Sequence, residues 1–179
     1  LCEPEAGSDA GSIRTKAILK NGHYLLNGRK CFITNGGVSD FYSVFAVTSA
    51  EMKMEGITGF LIEKGTPGLS VGKTEEKMGI RGSNTTEVIL EDVKVPVSQR
   101  IGDEGVGWWL MMRTLNRSRP AIAAQSVGIA QGALNYLLQV GREREWTKGR
   151  EETYWVQFRL AEMATEIEAA RALVYKAAE

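Results

Sequence analysis

Three Asn-Gly dipeptides, Asn21-Gly22, Asn27-Gly28 and Asn35-Gly36, follow one another closely, with apolar runs filling the intervals. A type I′ turn needs positive φ at both central positions, and Asn followed by Gly meets that need at little cost. Each dipeptide is therefore a hairpin signal, and this part of the chain is constrained to short antiparallel strands over residues 16–20, 23–26 and 29–34. The last run, with its turn, reads RKCFITNGG over residues 29–37. Its β-branched and aromatic residues predict a short, mostly buried strand. A strand that ends in Thr34 and runs into glycines offers a flat ligand one hydroxyl and bare amides, with no Cβ in the way.

Residues 41–48 and 56–63 continue the strand pattern, Thr66-Pro67-Gly68 is a further turn, and residues 85–95 alternate with Val88, Leu90 and Val93 on one face. Strands at such regular spacing predict a barrel or a sandwich. The character changes near residue 100, which divides the chain into a β-domain over residues 1–100 and a helical domain over residues 101–179. Residues 102–107 form a loop, helical spacing begins at Trp108, and Pro120 either kinks a helix or opens a new one. Small residues follow, among them Ala123, Ala124, Gly128, Ala130 and Gly132. The final segment carries one apolar stripe, Val156, Leu160, Met163, Ile167, Ala170 and Val174, as in a helix of an antiparallel bundle. Two or three helices cannot bury that much apolar face alone, so further chain or a partner subunit is expected.

The 22 basic and 22 acidic residues balance, which gives no reason to expect nucleic acid or an anionic membrane as partner. No apolar run reaches membrane-spanning length, and no membrane insertion is expected. Cys2 and Cys31 lack a C-x-x-C spacing and read as buried free thiols. The single histidine, His23, falls in a turn, and no metal site is expected.

Several residues remain open between chemistry and ordinary structure. EPEAGSD over residues 3–9 is a binding loop or a polar turn; Ser8 offers a hydroxyl, and Asp9 is expected to hydrogen-bond backbone amides within the loop. Phe32, Ile33 and Thr34 form a wall for a planar ring, or else Phe32 is core and Thr34 an edge hydroxyl. Arg119 binds an anion or makes an ion pair at the surface. The mixed-charge stretch of residues 142–150, around Trp146, is a solvated helix end or an interface.

Taken in order, EPEAGSD, NGRKCFITNGG, TGFLIEKGTPGLSVG, KMGIRGSNTTEVILEDVKVP, IGDEGVGW and RSRPAIAAQSVGIAQGAL closely resemble the acyl-CoA dehydrogenase family. The resemblance covers the whole chain and keeps both order and spacing. It implies an α+β fold, an antiparallel β-barrel followed by the first helices of an up-down bundle, and FAD as cofactor. Leu1, Cys2 and Ser8 would line the flavin and its pyrophosphate, with Ser8 also near the substrate. Phe32 and Ile33 would pack on the isoalloxazine ring, with Thr34 reaching the reactive flavin nitrogen. The family often has Trp at Phe32, and Thr or Ser at Cys2, where a thiol is a weaker donor. Asn116 and Arg119 align with the acyl-CoA contact, Thr48 with a CoA-touching serine. Arg144 aligns with an arginine that reaches the FAD of a neighbouring subunit, although the following Phe-Gly is not kept and Tyr154 falls near a usual Gln.

The implied activity is α,β-dehydrogenation of an acyl-CoA, as in fatty-acid β-oxidation, with hydride transfer to flavin and electrons passed to an electron-transferring flavoprotein. A homotetramer or dimer is implied, in the bacterial cytoplasm or the mitochondrial matrix. The catalytic glutamate is expected beyond Glu179, since Ser118, at the position a minority of members use, cannot act as the base. The alternatives are an oxidase or reductase variant, or a flavin-binding, oligomerising homologue without catalysis.

Overall fold

A computed structural model describes residues 1–146 and 153–179. It divides into two compact units, Leu1–Met112 and Arg113–Glu179.

The first unit is built on seven strands: β1 (Lys16–Lys20), β2 (His23–Thr34), β3 (Phe41–Val47), β4 (Ile57–Glu63), β5 (Leu69–Thr74), β6 (Thr85–Pro96) and β7 (Arg100–Ile101). They form one sheet in the order β5-β6-β2-β1-β3-β4-β7. The expected barrel is not formed, because the edge strands β5 and β7 do not pair with each other. β7 has only two residues and is fully used against Gly59 and Phe60 of β4. The join between β1 and β3 is a single parallel pair, Lys16 opposite Val47, and there the sheet curls over on itself. Tyr24 of β2 and Phe60 of β4 stand three strands apart, about 14 Å in a flat sheet. Their ring centroids are nevertheless 4.9 Å apart, edge to face. One core therefore gathers Tyr24, Leu26, Val44, Phe60, Leu90 and Val93 from both halves of the sheet. No helix among the described residues is long and apolar enough to cross a membrane.

Asn21-Gly22 is the expected hairpin loop, with Lys20 opposite His23 and positive φ at both residues. His23 is exposed at its end, Nδ1 lying 3.1 Å from the Asn21 carbonyl oxygen. Asn27-Gly28 is not a turn, because β2 runs straight through it. Leu26 pairs with Val93 and Gly28 with Leu90, so β6 carries one extra residue here, a bulge with Asp92 at φ 49°. Asn27 holds the bulge from both sides: its Nδ2 donates to Asp92 Oδ1, and its Oδ1 accepts from the Asp92 amide, each at 2.9 Å. A Cβ on Gly28 would stand 2.3 Å from Thr15 Oγ1, so glycine is needed here for close approach. The bulge also explains how Val88, Leu90, Val93 and Val95 are all buried although their numbering changes parity.

Helix α1 (Gly107–Glu143) begins in the first unit, where Trp108, Met111 and Met112 join Ala6, Ile13 and Ile57 in a second core cluster. It continues into the second unit with Pro120 inside it, so Pro120 does not open a new helix. Helix α2 (Tyr154–Ala178) packs on α1 through the expected stripe, with Leu160 and Ile167 buried against Val127 and Leu134. Gly128 and Gly132 face open space. Part of the mixed-charge stretch, residues 147–150, lies outside the described residues.

Candidate functional site

Strict alternation from Tyr24 and Leu26 carries Lys30 and then Phe32 towards the core. A second bulge breaks that sequence. Lys30 pairs with Val88 and Ile33 with Thr86, so three steps along β2 match two along β6. The extra residue falls at Cys31 and Phe32, and Phe32 sits at φ 55°. The one-residue shift exchanges the faces of everything after it. Ile33 packs against the core, while Phe32 is turned outward with 66% of its surface exposed. The strand is thus not mostly buried at its end, and Phe32 is not core. Thr34 is exposed as well, and its hydroxyl has no protein partner among the described residues. Left-handed φ on an aromatic residue costs on the order of 1–3 kcal/mol and persists only where surrounding contacts over-determine it.

Those contacts come from the N-terminal loop. The Cys31 amide donates to the Cys2 carbonyl at 3.0 Å. Lys30, with 2% of its surface exposed, donates from Nζ to Glu3 Oε1 and to the Phe45 carbonyl, both at 2.7 Å. Glu3 is also buried, and it accepts from the Arg14 amide at 2.5 Å, the Thr15 amide at 3.1 Å and the Thr15 hydroxyl at 2.6 Å. Burial alone would raise the Glu3 pKa. Hydrogen bonds from Lys30, Thr15 and the Arg14 amide outweigh it and hold the carboxyl below its ordinary value. Burial draws Lys30 below the ordinary lysine value, and Glu3 only partly restores it. The two shifts do not mirror each other because Glu3 collects four donors, whereas Lys30 finds two acceptors for three N–H groups. This buried pair was missed in the sequence. Its one available signal was a charged residue, Lys30, on the buried parity of β2.

A cavity of about 140 Å³ at this end of the sheet brings together Leu1, Ile33 and Thr34 of the expected residues, with Lys30, Ser39 and Ser43 also on its walls. The exposed Phe32 ring lies next in sequence to Ile33 and two residues from Lys30 and Thr34, which suits a planar ligand that stacks and accepts a hydrogen bond. Cys2 is half-buried and Ser8 exposed, and neither lines this cavity. Burial, with a smaller contribution from Cys2, raises the Cys31 thiol above its ordinary value, which disfavours the nucleophilic thiolate. The Asp9 carboxylate accepts from the Ser12 hydroxyl, not from a loop amide as expected.

Thr48 is spent on local contacts, its Oγ1 standing 2.8 Å from Thr58 Oγ1 and 3.1 Å from the Gly56 carbonyl. It lines a separate, mostly apolar cavity of about 350 Å³ beside Arg14 and Lys16. In the second unit, Asn116 and Arg119 stand one turn apart on α1, with Arg119 Nη1 donating to Asn116 Oδ1 at 2.7 Å. They line a cleft of about 390 Å³ with Pro120, Ala123, Leu173 and Val174. Ser118 donates its hydroxyl back to the Leu115 carbonyl. Arg144 follows α1 and is exposed.

The first unit is a single curled sheet with an outward-turned aromatic bulge and the second a pair of packed helices, which makes this an α+β chain. Family models agree: residues 1–93 match the acyl-CoA dehydrogenase middle domain and residues 105–179 the acyl-CoA dehydrogenase C-terminal domain. The chain belongs to the acyl-CoA dehydrogenase family. An acyl-CoA dehydrogenase of Bacillus subtilis is 49% identical over 100% of this chain and 48% of its own length. The structure described as the electron transferring flavoprotein of Acidaminococcus fermentans matches with a TM-score of 0.92 and 48% identity, over 99% of this chain and 47% of that one. The structure of PigA with FAD and proline matches with a TM-score of 0.88 and 32% identity, over 98% and 46%. The chain thus spans about half the length of the relatives it matches.

Proposed function

We propose that the protein is an FAD-dependent acyl-CoA dehydrogenase, which oxidises the Cα–Cβ bond of an acyl-CoA thioester. The observation that carries this reading is the β2 bulge, which turns Phe32 outward and leaves Thr34 exposed on the wall of the cavity that Leu1 and Ile33 also line. Family membership and the FAD named in one matching structure support the cofactor. The residues also fit it. Phe32 offers a π face for stacking, Thr34 an unpartnered hydroxyl, and Ile33 and Leu1 an apolar wall. Bound FAD would supply the hydride acceptor.

The roles of this chain's own residues are positioning ones. Phe32 and Ile33 bind and orient the ring, Thr34 hydrogen-bonds it, and the loop carrying Leu1, Cys2 and Ser8 covers the pyrophosphate side. Asn116 and Arg119 bind the acyl-CoA, with Ser8 and Thr48 as further contacts, and Arg144 contacts FAD across a subunit boundary. We assign the proton-abstracting base to no residue of 1–179, because Ser118 has no group able to accept the α-proton at neutral pH. The division near residue 100, the homotetrameric or dimeric state, and a cytoplasmic or mitochondrial-matrix location belong to the same reading. An electron-transferring flavoprotein is the proposed electron acceptor, supported by the name of one matching structure.

The test is the visible spectrum of the complete protein, followed by anaerobic titration with a panel of acyl-CoAs. Oxidised-flavin bands that bleach with one acyl class establish the reaction and name the substrate. Flavin that stays oxidised with every acyl-CoA favours a homologue that binds flavin without catalysis. A colourless protein that refuses added FAD overturns the cofactor assignment.

A further inference from the structure

We propose that the buried Glu3–Lys30 pair is a positioning device that sets the β2 bulge and so presents Phe32 and Thr34 to the cofactor. The functional half of this inference rests on the FAD reading above.

Three observations carry it. First, the pair joins two segments that the sheet does not otherwise hold together: Glu3 lies in a loop outside the named strands, and Lys30 lies directly before the bulge. Second, the same loop reaches the bulge itself, since the Cys2 carbonyl takes the Cys31 amide that the β6 ladder leaves unpaired. The ion pair and this backbone bond are adjacent on both segments, so losing one loosens the other. Third, the Phe32 conformation is costly in isolation and needs an external clamp, and Glu3 and Cys2 both bear on the two residues just before it.

A pair of this kind is a poor device for stability alone. Desolvating two charges consumes much of their attraction, and well-packed apolar residues often serve as well or better. What the pair adds is geometry. Lys30 must reach Glu3 and the Phe45 carbonyl together, and Glu3 must also satisfy Arg14 and Thr15, so β2 is held at one depth against β3 and the loop. Lys30 also borders the cavity beside Ile33 and Thr34, so a shift of its side chain alters that wall directly.

The experiment compares the complete wild-type protein with Glu3→Gln and with the double variant Glu3→Leu/Lys30→Met, which replaces the pair by apolar packing. Amide hydrogen exchange over residues 31–34 of the apoproteins reads positioning without flavin. The FAD dissociation constant and the visible circular dichroism of bound flavin read its consequence. Folded variants should exchange faster over residues 31–34, bind FAD at least about tenfold more weakly, and show a weakened flavin dichroic signal. Folded variants with unchanged exchange and unchanged FAD binding overturn the proposal, as does FAD loss that only tracks the unfolded fraction. If Glu3→Gln does not fold, the double variant decides. If neither folds, the pair is a stability element and the positioning role is overturned. Faster exchange in a protein whose wild type binds no FAD supports the positioning and sinks the cofactor reading instead.

Discussion

At the residue scale, the site depends on side chains placed against their ordinary preferences. Glu3 is the clearest case for titration. Its folded carboxyl has a pKa below its value in the unfolded chain, so between those values the native state holds fewer protons and stability rises with pH. The stabilisation is present in full above the unfolded pKa and is lost as pH falls through the folded one. Urea midpoints are therefore expected to fall more steeply between about pH 6 and about pH 3 in wild type than in Glu3→Gln. At neutral pH, Lys30→Met leaves Glu3 buried without its cation and should cost about 3–5 kcal/mol, read by the same titration. Phe32 poses the opposite trade. Glycine adopts φ 55° freely and Phe32 is 66% exposed, so Phe32→Gly loses little buried area and should leave stability within about 1 kcal/mol of wild type or raise it. FAD affinity should nonetheless drop about tenfold with the π face gone. A variant that keeps full FAD affinity would remove Phe32 from the site.

At the element scale, two bulges on one ladder do most of the shaping. The β6 bulge lets β2 pass close to Thr15 at Gly28, where a methyl group would meet Thr15 Oγ1 at 2.3 Å and its Cα at 2.8 Å. Gly28→Ala forces backbone apart and should cost about 1–3 kcal/mol by chemical denaturation. In the second unit, Leu160 is almost fully enclosed between α1 and α2. Leu160→Ala should lower stability by about 2–4 kcal/mol, depending on how far the helices close the gap.

At the scale of the whole molecule, each unit has its own core and leaves part of its apolar surface uncovered. Both core clusters of the first unit close within residues 1–112. A protein of those residues alone is expected to show sheet-type circular dichroism and a single cooperative unfolding transition. In the second unit Ile122, Ile129 and Tyr136 stand exposed at seven-residue intervals on α1, and Trp155 and Phe158 are exposed on α2. Residues 113–179 alone should therefore self-associate in sedimentation experiments as concentration rises. A monomer at every concentration would mean that these side chains find cover within the helix pair.

The sequence by itself determined whatever depends on local chemistry and period. The Asn21-Gly22 hairpin, the ends of β3, β4 and β6, and the α2 stripe were legible because turn propensity and periodicity act over a few residues. The ordered motifs sufficed for the family. The bulges were not legible, since an extra residue in a ladder shows only when the partner strand is counted beside it, and Asn27-Gly28 looks the same in a bulge as in a turn. Nor was the open sheet, because closure depends on whether β5 reaches β7, two short strands far apart in sequence. The outward turn of Phe32 and the Glu3–Lys30 pair were decided only by tertiary structure. Both arise where the N-terminal loop meets β2, and a contact between distant segments leaves no period in either of them.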